Sequence, residues 1–71
     1  MESNSFFIKG YINTMNAFIH GEADLYQVIE SEKRYIRDMD RGLASPDSRE
    51  LENIGRFERI IETMVAESTP F

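Results

Sequence analysis

Hydrophobic residues recur along the central part of the chain at alternating steps of three and four, which is the spacing of a single stripe on an α-helix. One such stripe is interrupted only by a glutamate and consists of Leu25, Ile29, Glu32, Ile36, Met39 and Leu43. A second stripe follows after a proline and consists of Ile54, Phe57, Ile61 and Met64. The two stripes predict two long amphipathic helices, over about 25–41 and 46–67, that face each other as an antiparallel hairpin.

A third, shorter stripe precedes these two and has more hydrophobic residues beside it. It predicts a helix over about 6–20 and consists of Ile8, Ile12, Met15 and Ile19. Three aromatic residues flank it, namely Phe7, Tyr11 and Phe18. This apolar arc is wider than one hairpin can cover, and aromatic residues are favoured anchors of protein interfaces. We therefore expect the first helix to pack on the hairpin and to carry part of an interface.

A glycine between the first two predicted helices marks where the first helix should end. Gly21 follows Ile19 by two positions, and glycine is the usual residue in the left-handed conformation just beyond a helix C terminus. Asp24 and Gln27 then have the spacing of a capping box, which would start the second helix at Leu25. The alternative that the sequence leaves open is one kinked helix through both segments.

The start of the third predicted helix has two competing signals. Ser45 and Pro46 suit the N-cap and first helical positions, because proline lacks the N–H group that would be unpaired there. Asp47 and Glu50 have the spacing of a capping box slightly further along. Residues 68–71 include a proline, which does not continue a helix, and are expected to form a tail.

Size and composition limit the chain to one small domain and argue against several kinds of site. With 71 residues we expect a single helical domain over 1–71, in a size range where oligomerisation often supplements a small core. The lack of cysteine excludes disulfides and thiol chemistry, and a single histidine excludes a multi-histidine metal site within one chain. We therefore expect no cofactor, no metal, no catalytic residue and no enzymatic activity.

Charge and hydropathy argue against two classes of partner. The net charge of −5 disfavours general nucleic-acid binding, which requires a basic surface. No run of apolar residues is longer than three, whereas a membrane-spanning helix needs roughly 20. The first residues carry no basic segment of the kind that begins a signal peptide. These features predict a soluble, cytoplasmic protein whose partner is another protein.

Two polar features of the second predicted helix have more than one interpretation. Glu32 lies within the apolar stripe, where it would either pair with a lysine or arginine of a partner and set the register, or simply be exposed to water. Lys33, Arg37 and Arg41 form a row at i, i+4 spacing. This row would contact the phosphates of DNA or an acidic partner, or else form a solvated face that neighbouring acidic residues neutralise.

The expected fold is all-α, with a short N-terminal helix packed on an antiparallel helical hairpin. The surplus of apolar surface predicts a homodimer or a tight complex with another helical protein, since helix-in-groove binding uses apolar residues at i, i+3, i+4 and i+7. The candidate interface comprises Phe7, Tyr11, Phe18, Ile8, Ile12, Met15, Ile19 and Glu32. The expected function is that of an adaptor, a small chaperone or an inhibitor.

Residues 24–67 resemble in outline the small acidic helical-hairpin proteins of type III secretion, such as the co-chaperones that keep needle subunits soluble. The resemblance rests on size, on charge, on the two heptad helices and on the turn at Ser45, Pro46 and Asp47. It implies a helical hairpin that keeps a partner protein soluble. Two further classes remain open: a phage- or plasmid-encoded inhibitor of a host protein, and a DNA-associated regulator that uses the basic row.

Overall fold

Three helices make up most of the residues that the computed structural model describes, which are residues 6–43 and 45–68. Helix α1 spans Phe6–Ile19, α2 spans Leu25–Asp40 and α3 spans Ser48–Ser68. No strand is present in the two described ranges. The prediction of three helices in an all-α chain is therefore confirmed. Ser68 belongs to α3 and not to the expected tail, and the rest of that tail lies outside the described residues.

The connection between α1 and α2 is a tight turn built around Gly21, which has a positive φ of 79°. The Gly21 N–H donates to the Phe18 carbonyl at 3.0 Å, and the Glu22 N–H donates to the Ala17 carbonyl at 2.8 Å. These two hydrogen bonds form a Schellman motif, which satisfies carbonyl groups at the end of a helix. The predicted break at Gly21 is confirmed, and a single helix through both segments is excluded.

Helix α2 begins with the predicted capping box. The Gln27 N–H donates to Asp24 Oδ1 at 2.9 Å, and the Asp24 N–H donates to Gln27 Oε1 at 3.0 Å. Two N–H groups that the helix leaves unpaired are thus satisfied. A second Schellman motif ends α2: Gly42 has a φ of 73°, and the Leu43 N–H donates to the Asp38 carbonyl at 3.0 Å.

Helix α3 begins slightly later than the proline-based interpretation predicts. The Glu50 N–H donates to Asp47 Oδ1 at 2.8 Å, and the Asp47 N–H donates to Glu50 Oε1 at 3.0 Å. Asp47 is therefore the N-cap residue, and Ser45 and Pro46 precede the helix. The capping box is favoured over a start at Ser45 and Pro46 because it pairs two backbone N–H groups at once.

Helix α1 is the central element of the fold, because the backbones of α2 and α3 both approach it more closely than they approach each other. No Cα atom of α2 lies within 8 Å of a Cα atom of α3. The expected hairpin is therefore corrected in one respect: the backbones of α2 and α3 stay apart, while their side chains share the core that α1 completes. The wide apolar arc on α1 explains this arrangement, since it provides one hydrophobic side for each neighbour.

The short connections give the directions of the three helices. Tyr11 of α1 contacts Tyr35 of α2 and Glu58 of α3. Five residues connect α1 to α2 and seven connect α2 to α3, so each helix reverses the direction of the one before it. Helix α1 is thus antiparallel to α2 and parallel to α3, so α2 and α3 run in opposite directions, as expected.

Helix α2 buries a different side from the one that the hydrophobic stripe predicted. The buried residues of α2 are Val28 and Tyr35, and Met39 packs beside them. Three residues of the predicted stripe are substantially exposed: Leu25 at 37%, Ile29 at 42% and Ile36 at 41%. With 100° of rotation per residue, the side that carries Val28 and Tyr35 lies roughly 80° around the helix from the side that carries Leu25, Ile29 and Ile36. The rotation places Tyr35 against Tyr11, and it leaves an apolar stripe exposed to solvent.

Helix α3 uses the predicted stripe. Ile54 and Ile61 are buried, Phe57 is partly buried against the core, and Met64 is half-buried. The hydrophobic core of the described residues comprises Ile8, Tyr11, Met15, Val28, Tyr35, Ile54 and Ile61. All three helices therefore contribute to one core, and α1 supplies its three most completely buried side chains.

Ile61 and Ile36 form a matched pair that tests which side of each helix stabilises the fold. Ile61 is 7% exposed and belongs to the core, whereas Ile36 is largely outside it. We expect Ile61→Ala to lower the free energy of unfolding by about 2–5 kcal/mol and Ile36→Ala by less than about 1 kcal/mol, because only the first leaves a cavity. Urea unfolding, at concentrations where the midpoint does not depend on protein concentration, measures both. Equal losses would contradict this packing.

Two glycines test the backbone geometry with the same substitution. An added Cβ at Gly21 or at Gly55 meets no atom within 4 Å, so packing does not distinguish them. We expect Gly21→Ala to destabilise the chain by about 1 kcal/mol, because an L-residue is strained in the left-handed conformation. Gly55→Ala should stabilise it by up to about 1 kcal/mol, because Gly55 lies inside α3. Thermal melts that shift in the same direction for both variants would refute the assigned turn.

Candidate functional site

A cleft lies between α2 and α3, whose Cα atoms all lie more than 8 Å apart. Its floor is formed by Tyr11 and Met15 of α1. Its walls are formed by Leu25, Val28, Ile29 and Glu32 on α2, and by Glu58, Ile61 and Glu62 on α3. The cleft thus combines apolar side chains with three carboxylates.

Tyr11 connects all three helices at the floor of this cleft. Its hydroxyl donates a hydrogen bond to Glu58 Oε2 at 2.6 Å. Its ring stacks on that of Tyr35, with the ring centroids 5.1 Å apart and the ring planes inclined by 19°. A buried tyrosine needs a partner for its hydroxyl, and a carboxylate is a strong one. Tyr11 therefore fixes the positions of Tyr35 and Glu58 relative to each other.

The electrostatics around the two stacked tyrosines are dominated by carboxylates. Burial, the hydrogen bond to Glu58 and the charges of Glu58 and Glu32 raise the pKa of Tyr11 well above its ordinary value. Burial, followed by the charges of Glu58, Glu32 and Glu50, raises the pKa of Tyr35. Both hydroxyl groups therefore stay protonated over the physiological range, and Tyr11 acts as a donor and not as a base.

The carboxylates of the cleft make no ion pair within the part of the chain that the structure describes. The ion pair recorded there joins Lys33 Nζ to Glu30 Oε2 at 3.5 Å, on the outer side of α2. Glu32 and Glu58 are half-buried, and Glu62 is exposed. The negative charge of the cleft is therefore available to a cationic partner.

The structure places most of the predicted interface residues of α1 inside this chain. Ile8, Tyr11 and Met15 are buried in the core. The partly buried residues that pack against the core include Ile12, Phe18 and Ile19, and Phe7 is half-buried. The wide apolar arc that predicted an interface on α1 is thus largely explained by contacts to two neighbouring helices. Of the predicted set, Tyr11, Met15 and Glu32 also line the cleft.

Part of the exposed apolar surface lies on α2. We use the name α2 stripe for Leu25, Ile29 and Ile36, which are spaced at four and seven residues and are exposed on one side of the helix. Leu25 and Ile29 belong to the wall of the cleft. Lys33 and Arg37 are exposed beside the stripe. This surface was visible in the sequence, because α2 carries two apolar stripes and α1 can cover only one of them.

Glu58 and Glu62 are the residues of the site that sequence analysis missed. They lie at i, i+4 on α3, one turn apart and next to the buried Ile61. Their spacing is visible in the sequence, but their position opposite Glu32 follows only from the way in which α1 holds α2 and α3.

A second apolar surface lies on the outer side of α3. It exposes Leu51 and Ile60, and every residue that lines its depression of about 600 Å³ belongs to α3 itself, so that surface has no second wall. No group of three or more His, Cys, Asp or Glu side chains in the described ranges is arranged to hold a metal ion. Among these residues, no helix combines the length and apolar character needed to cross a membrane.

Comparisons of the chain with protein-family models, with curated proteins and with solved structures find no match. The function is therefore inferred from the cleft and from the chemistry of its walls.

Tyr11→Phe tests the hydrogen bond at the floor of the cleft. At neutral pH the variant should lose about 1 kcal/mol of unfolding free energy, because Glu58 loses its donor. The parent protein should lose stability as the pH rises above 10.0, the ordinary pKa of tyrosine, because only the unfolded chain then releases this proton. The variant should lose less over the same range.

Thermal melts from neutral to alkaline pH measure both effects. Tyr26→Phe is the matched control, since it removes a hydroxyl from a side chain that is 68% exposed, and its melting temperature at neutral pH should equal that of the parent. Parallel pH profiles for the parent and Tyr11→Phe would show that Tyr11 does not contribute.

Proposed function

We propose that this chain is a protein–protein interaction module, acting as an adaptor, small chaperone or inhibitor, that binds a helix of its partner along the α2 stripe and the adjoining cleft. The observation that carries the proposal is the exposure of the α2 stripe beside a cleft whose floor is already packed. Contiguous apolar surface of this kind marks interaction sites in soluble proteins.

The shape of the site favours a helix as its occupant. Helices α2 and α3 lie on α1 with a gap between them, which is the position that a further helix takes in a helical bundle. The α2 stripe has its residues at i, i+4 and i+11, so it can contact such a helix over three turns. A partner helix would cover the stripe on one side and Ile61 on the other.

The charges of the site favour a partner helix with basic residues at the edges of its apolar side. Glu32, Glu58 and Glu62 are the charged residues of the cleft, and the chain as a whole carries a net charge of −5. This chemistry suits a second copy of the chain or another helical protein. It suits equally the two classes of function suggested by the sequence, a chaperone of the kind found in type III secretion and an inhibitor of a host protein.

The basic row gives less support to a DNA-associated regulator. Lys33 is paired with Glu30 at 3.5 Å, and Asp40 lies beside Arg37 and Arg41 on the same surface. Nucleic-acid binding depends on a patch of uncompensated positive charge. The neighbouring carboxylates weaken such a patch here.

Site-specific cross-linking in the native host tests the proposed function. A photo-cross-linking amino acid is placed at Ile36 in the α2 stripe or at Ile60 on the outer side of α3, which is similarly exposed at 38% against 41%. We expect a discrete adduct from position 36, either with a second copy or with one helical protein, and none from position 60. The adduct should form again with the purified partner. No adduct from position 36, or the same adducts from both positions, would refute the proposal.

A further inference from the structure

We propose that the cleft binds one amphipathic helix of a different protein, whose apolar side carries basic residues along a single edge, at i, i+4 spacing, against Glu58 and Glu62. The inference rests on the proposed function and gives the chemistry of its partner. It is carried by the difference between the two walls of the cleft.

The α2 wall of the cleft offers apolar contacts. Leu25 and Ile29 are exposed on this wall, whereas Val28 between them is buried in the core. The two exposed side chains are four residues apart, so they lie one above the other on the same side of the helix. A partner helix must therefore place apolar residues at i, i+4 against this wall.

The α3 wall offers carboxylates. Glu58 and Glu62 are also four residues apart, and Ile61 between them is buried. Glu58 Oε2 accepts the hydroxyl of Tyr11, but neither glutamate is in an ion pair within the described residues. Carboxylates are costly to cover with an apolar partner, because they lose water without gaining a counter-charge. The partner helix must therefore bring cations to this wall.

One helix can satisfy both walls, because both rows line a single cavity of about 240 Å³. Successive residues lie about 100° apart around a helix. A helix with apolar residues at i, i+4 and basic residues at i+1, i+5 therefore turns its apolar row to α2 and its basic row to α3. It does so in one of its two directions, because reversal of the helix exchanges its two edges.

A second copy of this chain does not supply the counter-charge through its α2 stripe. An antiparallel pairing that sets Ile29 against Ile36 of another copy brings Glu32 beside the Glu32 of that copy, and the two carboxylates would repel each other. Lys33, which lies beside the stripe, is already paired with Glu30. We therefore assign the cleft to a different protein.

The depression on the outer side of α3 differs from the cleft in its charge. It exposes Leu51 and Ile60, but its charged residues are two arginines and one glutamate, namely Arg56, Arg59 and Glu52. A basic edge would meet an excess of positive charge there. The proposed partner helix therefore distinguishes the two apolar surfaces of the chain, and the outer depression serves as an internal control.

Two synthetic peptides of identical composition test the proposal by fluorescence anisotropy. Both are alanine-based helices with leucines at i, i+4 and i+7. The edge peptide has a lysine directly after each leucine, and the far-side peptide has each lysine two positions after a leucine, on the opposite side of the helix. We expect the chain to bind the edge peptide about tenfold more tightly. Equal binding of the two peptides, or no binding of either, would overturn the proposal.

Neutral variants locate the lysine contact. Glu58→Gln combined with Glu62→Gln removes both charges of the α3 wall and keeps an acceptor for Tyr11, and this variant should bind the two peptides equally. The matched control is Glu52→Gln combined with Glu67→Gln, which makes the same change of charge at two exposed residues of α3 outside the cleft. The control should keep the preference for the edge peptide. If the control also loses it, the preference reflects net charge and the assigned contact is wrong.

Two isoleucine variants locate the leucine contact. Ile29 on the α2 wall and Ile60 on the outer side of α3 are similarly exposed, at 42% and 38%. Ile29→Ala should weaken binding of the edge peptide by about fivefold, because it removes apolar surface from the contact. Ile60→Ala should leave the affinity unchanged. Equal effects of the two variants would place the peptide outside the cleft.

The remaining outcomes separate this inference from the proposed function. If cross-linking from position 36 identifies a second copy, or a partner helix without a basic edge, the interaction module is supported and the present inference is overturned. If the peptides bind as expected and position 36 gives no adduct, the chemistry of the cleft is supported and the proposed function is refuted. Failure of both experiments overturns both proposals.

Discussion

The contacts of Tyr11 are the constraint on which the rest of the structure depends. Its ring stacks on Tyr35 of α2, and its hydroxyl donates to Glu58 of α3, so one side chain of α1 determines how both neighbours lie. In a chain of 71 residues the core is small, and few side chains can connect three helices at once. A buried hydrogen bond to a carboxylate also requires a defined geometry, which apolar contacts alone do not.

This constraint explains both the stability of the fold and the origin of the cleft. Because α1 carries the contacts to α2 and to α3, the backbones of the two outer helices need not touch, and a gap remains between them. The requirement that Tyr35 meet Tyr11 rotates α2 so that Val28 is buried while Ile29 and Ile36 stay exposed. The same rotation thus completes the core and exposes the surface that we assign to binding. The burial of Val28 and Tyr35 and the exposure of the α2 stripe are two results of one packing arrangement.

Local features of the fold were predictable because the residues that produce them are close together in the chain. The Schellman turn at Gly21 and the capping box of Asp24 and Gln27 depend on hydrogen bonds between residues at most a few positions apart. The start of α3 was less certain, because Pro46 and Asp47 offered competing local signals and only one could be used. The candidate site was predictable in part: Glu32 was recognised, whereas Glu58 and Glu62 gained their importance only from their position opposite α2.

By itself, the sequence determined the helical class, the number of helices, their limits to within a few residues and the excess of apolar surface over what one small chain buries. These properties follow from periodicity and from local hydrogen bonding. The tertiary structure alone decided that α1 lies between the other helices, which side of α2 is buried and where the carboxylates gather. The physical reason is that α2 carries two apolar stripes of similar strength, one with Val28 and Tyr35 and one with Ile29 and Ile36. The buried stripe is the one whose Tyr35 stacks on Tyr11, and that contact joins residues 24 positions apart, so no local pattern contains it.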